Sequence, residues 1–190
     1  MAAKRSFDPR AILAALERNY VNYAVIGGLG RVLRGADEIT EGVDICPSFG
    51  AENLERLGEA LGELGARRND GQVLVLTGEA LGSETVVALS TNAGSLQIMA
   101  SPAGAPNGFV DLRRGATKEH LGQGVQPLVA SMGDLARMAA ALGRDQHTAR
   151  LPELRRIMEL ETDRTQTLAH VGQARPSAGR ARARSRRLAR

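Results

Sequence analysis

The stretch Tyr23-Ala24-Val25-Ile26-Gly27-Gly28-Leu29-Gly30-Arg31-Val32-Leu33, followed by Thr40-Glu41-Gly42-Val43-Asp44-Ile45-Cys46-Pro47, decides how this chain is read. Tyr23 to Ile26 is a short apolar run and reads as a buried strand. Gly27-Gly28 ends it, and Leu29 to Leu33 predicts a short helix closed by Gly35. Glycines at a strand-to-helix turn let the backbone approach a ligand closely. The free N–H groups of a helix start can bind phosphate, with help from the helix dipole. Val43 to Cys46 is a second apolar strand, ended by Pro47, and it carries one carboxylate, Asp44. Carboxylates are seldom buried unpaired, so Asp44 either belongs to a site or pairs with an arginine such as Arg31 or Arg34.

Outward from this unit, Asp8-Pro9 is a helix start, with Asp as N-cap and Pro at the first helical position. Ile12, Leu13, Leu16 and Tyr20 follow at helical spacing. Glu52 to Leu64 predicts a helix with Leu54, Leu57, Leu61 and Leu64 on one stripe, stopped by Gly65. Val73 to Leu76 reads as a strand, and Thr85 to Leu89 and Ser95 to Met99 as two strands joined by Asn92-Ala93-Gly94. Phe109 to Ala116 reads as a short helix, Val125 to Val129 as a short extended piece, and 132–142 and 152–160 as helices. This order predicts an α/β (α+β) domain, a mixed sheet flanked by helices with further helices at the C-terminus. The expected organisation is one domain over 1–161 and a basic, disordered tail over 162–190, where Pro, Gly, Ser and Arg replace apolar residues.

The bulk numbers fit that division. The chain has 190 residues, 43% of them apolar, enough for one domain with a sizeable core. It has no Trp and is only 3% aromatic, so the core must be aliphatic. Seven of the 25 basic residues lie between Ala174 and Arg190, and the remaining 18 face 21 acidic ones, leaving the body at −3. The tail arginines, among them Arg180, Arg182, Arg184, Arg186 and Arg187, suit nucleic acid or another polyanion through phosphate contacts without sequence preference. The single cysteine, Cys46, excludes an internal disulfide and reads as a small buried apolar residue. The N-terminus shows no secretory signal, and no stretch approaches the roughly 20 apolar residues of a membrane span. A cytoplasmic protein without membrane association is expected. His120, His147 and His170 have no metal-ligand spacing, and Met132 and Met138 are at core spacing on a helix.

The layout from Ile26 to Ile45 resembles the nucleotidyltransferase superfamily, most closely its minimal bacterial, toxin–antitoxin-associated kind. The likeness continues through Ala93 to Met99 with Pro102-Ala103-Gly104, Phe109 to Arg113, Asp134 to Met138, and Gly143-Arg144 with Leu151 to Leu154. It covers residues 8–160. The resemblance implies a pocket at Gly27-Gly28 with Thr40 and Arg144 on the nucleotide. It also implies an Asp-x-Asp pair on the second strand, both on one face, and a third aspartate from a later strand. Such a set holds Mg²⁺ ions that activate the attacking hydroxyl and neutralise a nucleoside triphosphate.

This chain departs from that pattern at the chemistry. The first aspartate falls on Gly42, the third carboxylate on Gln97, the arginine before Thr40 on Glu38, a late-helix lysine on Ala139, and an aspartate after Arg144 on His147. Asp44 remains as catalytic and metal-binding residue if the site works, holding at most one Mg²⁺ weakly. Glu41 is one residue off and projects from the opposite strand face, while Asp37 and Glu38 lie in the preceding loop. The expectation is therefore a nucleotidyltransferase-fold pseudoenzyme that binds a nucleotide or a protein partner. The alternatives are an active Mg²⁺-dependent transferase passing a nucleoside monophosphate to RNA, protein or a small molecule, and a nucleic-acid-binding protein acting through its tail.

Overall fold

Asp8 accepts a hydrogen bond from the Ala11 N–H at 3.0 Å and so caps α1, Pro9–Arg18, with Pro9 in the first turn where its missing N–H costs nothing. The computed structural model describes residues 7–142 and, near the end, 152–154, 156, 157, 159 and 160. Arg144, His147, His170 and the tail arginines Arg180, Arg182, Arg184, Arg186 and Arg187 lie outside the described residues.

After α1 come β1 (Tyr23–Ile26), α2 (Gly27–Leu33), β2 (Gly42–Pro47), α3 (Ala51–Glu63), β3 (Arg67–Arg68), α4 (Gly78–Gly82), β4 (Val87–Thr91), β5 (Gly94–Ile98), α5 (Phe109–Leu112), β6 (Thr117–Lys118), β7 (Leu128–Val129) and α6 (Met132–Leu142). The strands form one mixed sheet in the order β3-β4-β5-β2-β1-β7-β6. β1 pairs antiparallel with β2 and parallel with β7, and β2 pairs parallel with β5.

Side-chain alternation along the central strands builds two cores. Tyr23 and Val25 of β1, Val43 and Ile45 of β2, and Leu96 and Ile98 of β5 pack with Leu13 and Leu16 of α1 and Leu57 and Leu61 of α3. Ala24, Ile26 and Cys46 point the other way and pack with Leu112, Met132, Leu135 and Met138. Met132 and Met138 are buried, as expected, and so is Cys46. By the same alternation Gly42 and Asp44 of β2, and Gln97 of β5, share the second face.

Asn53, buried on α3, accepts the Asn22 N–H at 2.6 Å and donates to the Asn22 and Ser48 carbonyls at 3.0 and 2.7 Å. This clamps the start of β1 and the end of β2 to one helix. Arg34 ties the short β6–β7 edge to α2. It donates to the Ala130 and Val129 carbonyls at 3.0 and 2.7 Å and ion-pairs with Glu119 at 2.7 Å.

Several expected elements differ. Residues 73–76 form no strand: Val73 and Val75 are exposed while Leu74 and Leu76 pack on the core, with Leu76 against α3 at Gly58. Alternation there is satisfied by docking on a helix rather than by a ladder. Thr77 then caps the short α4, accepting the Ala80 N–H at 3.1 Å. Strand β4 starts at Val87 rather than Thr85, α5 stops at Leu112 rather than reaching Ala116, and only 128–129 of the 125–129 segment pair.

The end of α1 holds one unusual backbone. Tyr20 has φ +54° and follows the C-cap Asn19; the Tyr20 N–H bonds to the Glu17 carbonyl and the Val21 N–H to the Leu16 carbonyl. Glycine ordinarily fills that left-handed position. An L side chain there costs about 1–2 kcal/mol.

Candidate functional site

The C-terminal end of β1 turns directly into α2 at Gly27, whose φ is +62°. Across the ladder, Ile26 pairs with Asp44, and Asp44 in turn pairs in register with Gln97 on β5. The three strands therefore deliver Gly27-Gly28, Asp44 and Gln97 to one place. A Cβ on Gly27 would lie 1.8 Å from the Asp44 Oδ2. The carboxylate thus sits on the turn itself, and only glycine leaves room for it.

These residues line a cleft of about 280 Å³ on the second face of the sheet. Val86, Met99, Pro102, Leu135, Met138 and Leu142 make its walls largely apolar. Ala139, where the resemblance expects a lysine, also lines it. Among the described lining residues Asp44 is the one acid and Arg31 the one base.

The electrostatics are close to neutral and already satisfied within the protein. Asp44 accepts a hydrogen bond from the Gly28 backbone N–H, the donor expected to serve a phosphate. Arg31 does not spend its fork on Asp44. It bonds Glu38 with Nε at 2.7 Å and with a terminal nitrogen at 3.3 Å, and both side chains are buried. Arg34, the other expected partner of Asp44, is engaged at the β6–β7 edge. Burial holds the Asp44 carboxyl above its ordinary range, against the lowering effects of the Gly28 N–H and the Arg31 guanidinium. Burial likewise lowers Arg31, with Asp44 opposing it. On the same strand, burial pushes the Cys46 thiol up to about 12, so it is inert as a nucleophile.

Because the folded pKa of Asp44 is raised, its neutral form is the one the fold prefers. The contribution is fully present below the ordinary value of 3.8 and is lost as pH rises through the folded pKa. Asp44→Asn is therefore expected to unfold at a higher temperature than wild type at pH 7 and at the same temperature near pH 3. The amide oxygen can still accept from Gly28. Thermal unfolding across that pH range checks this, and a variant less stable at pH 7 contradicts it.

The other sequence candidates fall as follows. Thr40 donates its hydroxyl to the Gly42 carbonyl at 2.9 Å and stands beside Gly28, where it shapes the entry to β2 rather than lining the cleft. Glu41 is exposed, and the β2–β5 register is regular from Gly42 to Ile45, without a bulge that would bring Glu41 round. Asp37 is exposed, and its N–H bonds the Glu153 carboxylate at 3.2 Å. The sequence flagged Glu38 as a departure; that it neutralises Arg31 is a finding of the structure, since the end of α2 and an irregular loop lie between them. The apolar wall from Val86 and α6 was also not visible in sequence, because those residues read simply as parts of a strand and a helix.

A two-Mg²⁺ centre does not fit these donors. Octahedral Mg²⁺ takes oxygen ligands, ordinarily one or two carboxylates plus substrate phosphates. Among the described lining residues one carboxylate is present, one of its bonds goes to Gly28, and its strand neighbours supply a glycine and a neutral amide. Among the described residues, no group of three or more His, Cys, Asp or Glu is placed to hold a metal. No helix among them is long and apolar enough to cross a membrane.

No protein-family model and no curated protein sequence matches the chain. Solved structures do. The solution structure of the antibiotic-resistance factor ANT(2″)-Ia superposes with a TM-score of 0.51 at 12% identity, covering 87% of this chain and 95% of that one. The same factor in its crystal complex with adenylyl-2″-tobramycin gives 0.51 at 14%, covering 86% and 94%. A Thermotoga maritima protein assigned as a nucleotidyltransferase gives 0.51 at 18%, covering 80% and 97%. At such identities the likeness speaks for the backbone, and it agrees with the β1–Gly-Gly–α2–β2 unit and the mixed sheet around it. The chain has the nucleotidyltransferase-superfamily fold.

Proposed function

We propose that this chain is a catalytically silent nucleotidyltransferase-fold protein that acts by binding, as a nucleotide- or partner-binding module. The carrying observation is the position of Asp44. Its carboxylate lies on the Gly27 turn and takes the Gly28 N–H, with Gln97 in register beside it. In-line phosphoryl chemistry needs developing charge to be neutralised by metal ions or cations. This cleft offers one guanidinium, already paired with Glu38, and a mostly apolar wall. A triphosphate entering it would meet Asp44 and a guanidinium already held by Glu38, with no second cation among the described lining residues. A neutral or apolar group suits these walls better.

The test is incorporation of α-labelled ribonucleoside triphosphates, with Mg²⁺ or Mn²⁺, into RNA, protein and small-molecule acceptors. Wild type is expected to match an Asp44→Ala control in every case. Label transfer that disappears in Asp44→Ala would overturn the reading and restore the one-metal transferase.

A further inference from the structure

The end of β1 away from Asp44 borders a second cleft, of about 320 Å³. Tyr20, Tyr23 and Phe109 line it, together with Arg56, Lys118 and Glu17. The chain has two tyrosines, three phenylalanines and no tryptophan, so three of its five aromatic rings meet at this one place. Tyr23 serves the core and Phe109 packs partly against the second one, but Tyr20 does neither. Tyr20 is 77% exposed, and its backbone sits at φ +54°, where glycine would be unstrained. A bulky exposed ring kept in a strained conformation at the lip of a cleft points to use rather than folding.

The other walls are fixed. Phe109 follows Gly108, whose φ is +55° and whose Cβ, if it had one, would lie 2.1 Å from the Ala100 carbonyl oxygen. The Asn53 clamp holds Asn22, between the two tyrosines and β2. Glu17 turns its charge inward: it accepts the Tyr23 hydroxyl at 3.0 Å, and burial holds its carboxyl above the usual range. The cations lie at the rim. Lys118 is exposed and near enough to Glu17 to act on its carboxyl, and among the described residues Arg56 pairs with the exposed Glu52 on its own helix, at 2.5 Å. Aromatic faces beside cations at the rim form a surface for a flat ring that carries negative charge. The volume is that of a small-molecule site rather than of a broad protein interface.

We propose that this cleft binds a planar aromatic anion of the nucleoside monophosphate class, its base against Tyr20 and Phe109 and its phosphate toward Lys118 and Arg56. This site is distinct from the Asp44 cleft and does not depend on whether that cleft is silent. Calorimetric titration of the full chain at low salt, with AMP, GMP, CMP, UMP, adenosine and inorganic phosphate, tests it. At least one monophosphate should bind tenfold or more tighter than adenosine or phosphate alone. A 5′-phosphorylated RNA hexamer distinguishes the sources: tighter binding than the monomer assigns a strand end, equal binding a free nucleotide. Tyr20→Gly should lose tenfold or more in affinity while its Tm rises by about 2–4 °C, as expected for relief of left-handed strain in a domain of this size. Tyr20→Phe should keep the affinity within twofold. Absence of monophosphate binding, affinity retained in Tyr20→Gly, or a lowered Tm in that variant would each overturn the proposal.

Discussion

A chain carrying Gly42→Asp together with Gln97→Asp is expected to be stabilised by a nucleoside triphosphate only when Mg²⁺ is present, while wild type shows no Mg²⁺-dependent shift. Both positions lie on the face of Asp44: Gly42 two residues before it on β2, and Gln97 opposite it on β5. A side chain at Gly42 is sterically acceptable, since a Cβ there would meet Ser95 at 3.4 Å, ordinary van der Waals contact. Three carboxylates then converge at the mouth of the cleft. Without metal they repel one another, and the double variant should be less stable than wild type at neutral pH. With Mg²⁺ and nucleotide at a hundred times the dissociation constant, about 2.7 kcal/mol returns. That corresponds to a rise of roughly 5–10 °C in Tm for a domain of this size. Thermal scans with each of the four triphosphates, with and without Mg²⁺, measure it. A double variant that stays unresponsive would mean that Asp44, Gly42 and Gln97 do not mark a lost metal site. An equal response in wild type would mean that the missing carboxylates are no obstacle, and the silent reading would go.

Gly27→Ala is expected to destabilise the fold by about 2–5 kcal/mol, from about 1–2 for a side chain in the left-handed region and about 1–3 for overpacking. The φ of +62° accounts for the first part. The second comes from Asp44, whose Oδ2, Cγ and Cβ would stand 1.8, 2.7 and 2.9 Å from the new Cβ. Rotating the carboxylate away cannot relieve the Cβ contact, and it would leave the Gly28 N–H without its acceptor. In an Asp44→Ala background the same substitution should cost less, because two of the three contacts vanish, while the strain and the Cβ contact remain. Urea denaturation of the two singles and the double gives the coupling. A cost under about 0.5 kcal/mol, the usual range for changes away from special features, would place Asp44 elsewhere than on the turn.

Much of the fold was legible in sequence because its signals are local. Asp8-Pro9 carries its own capping chemistry, the leucine stripe of α3 its own period, and Tyr23 to Ile26 with Gly27-Gly28 its own strand end. The segment 73–76 misled for the same reason: Val-Leu-Val-Leu alternates whether its partner is a strand or the flank of a helix. The Asp44 environment was legible by half. Its isolation followed from Gly42 and Gln97, but which charge answers it depends on the loop from Gly35 to Thr40, whose path brings Glu38 onto Arg31.

By itself, then, the sequence determined that an apolar mixed sheet flanked by helices would carry a Gly-Gly turn next to a lone aspartate, since strand alternation and turn glycines are properties of short stretches. Only the tertiary structure decided what that aspartate does. The β2–β5 register set Gln97 beside it, the Gly28 N–H was already within its reach, and Arg31 was taken by Glu38. Tyr20, Tyr23 and Phe109 were likewise brought to one cleft from positions up to 89 residues apart. Contacts between distant segments are fixed by how whole elements pack, and no local pattern of residues encodes them.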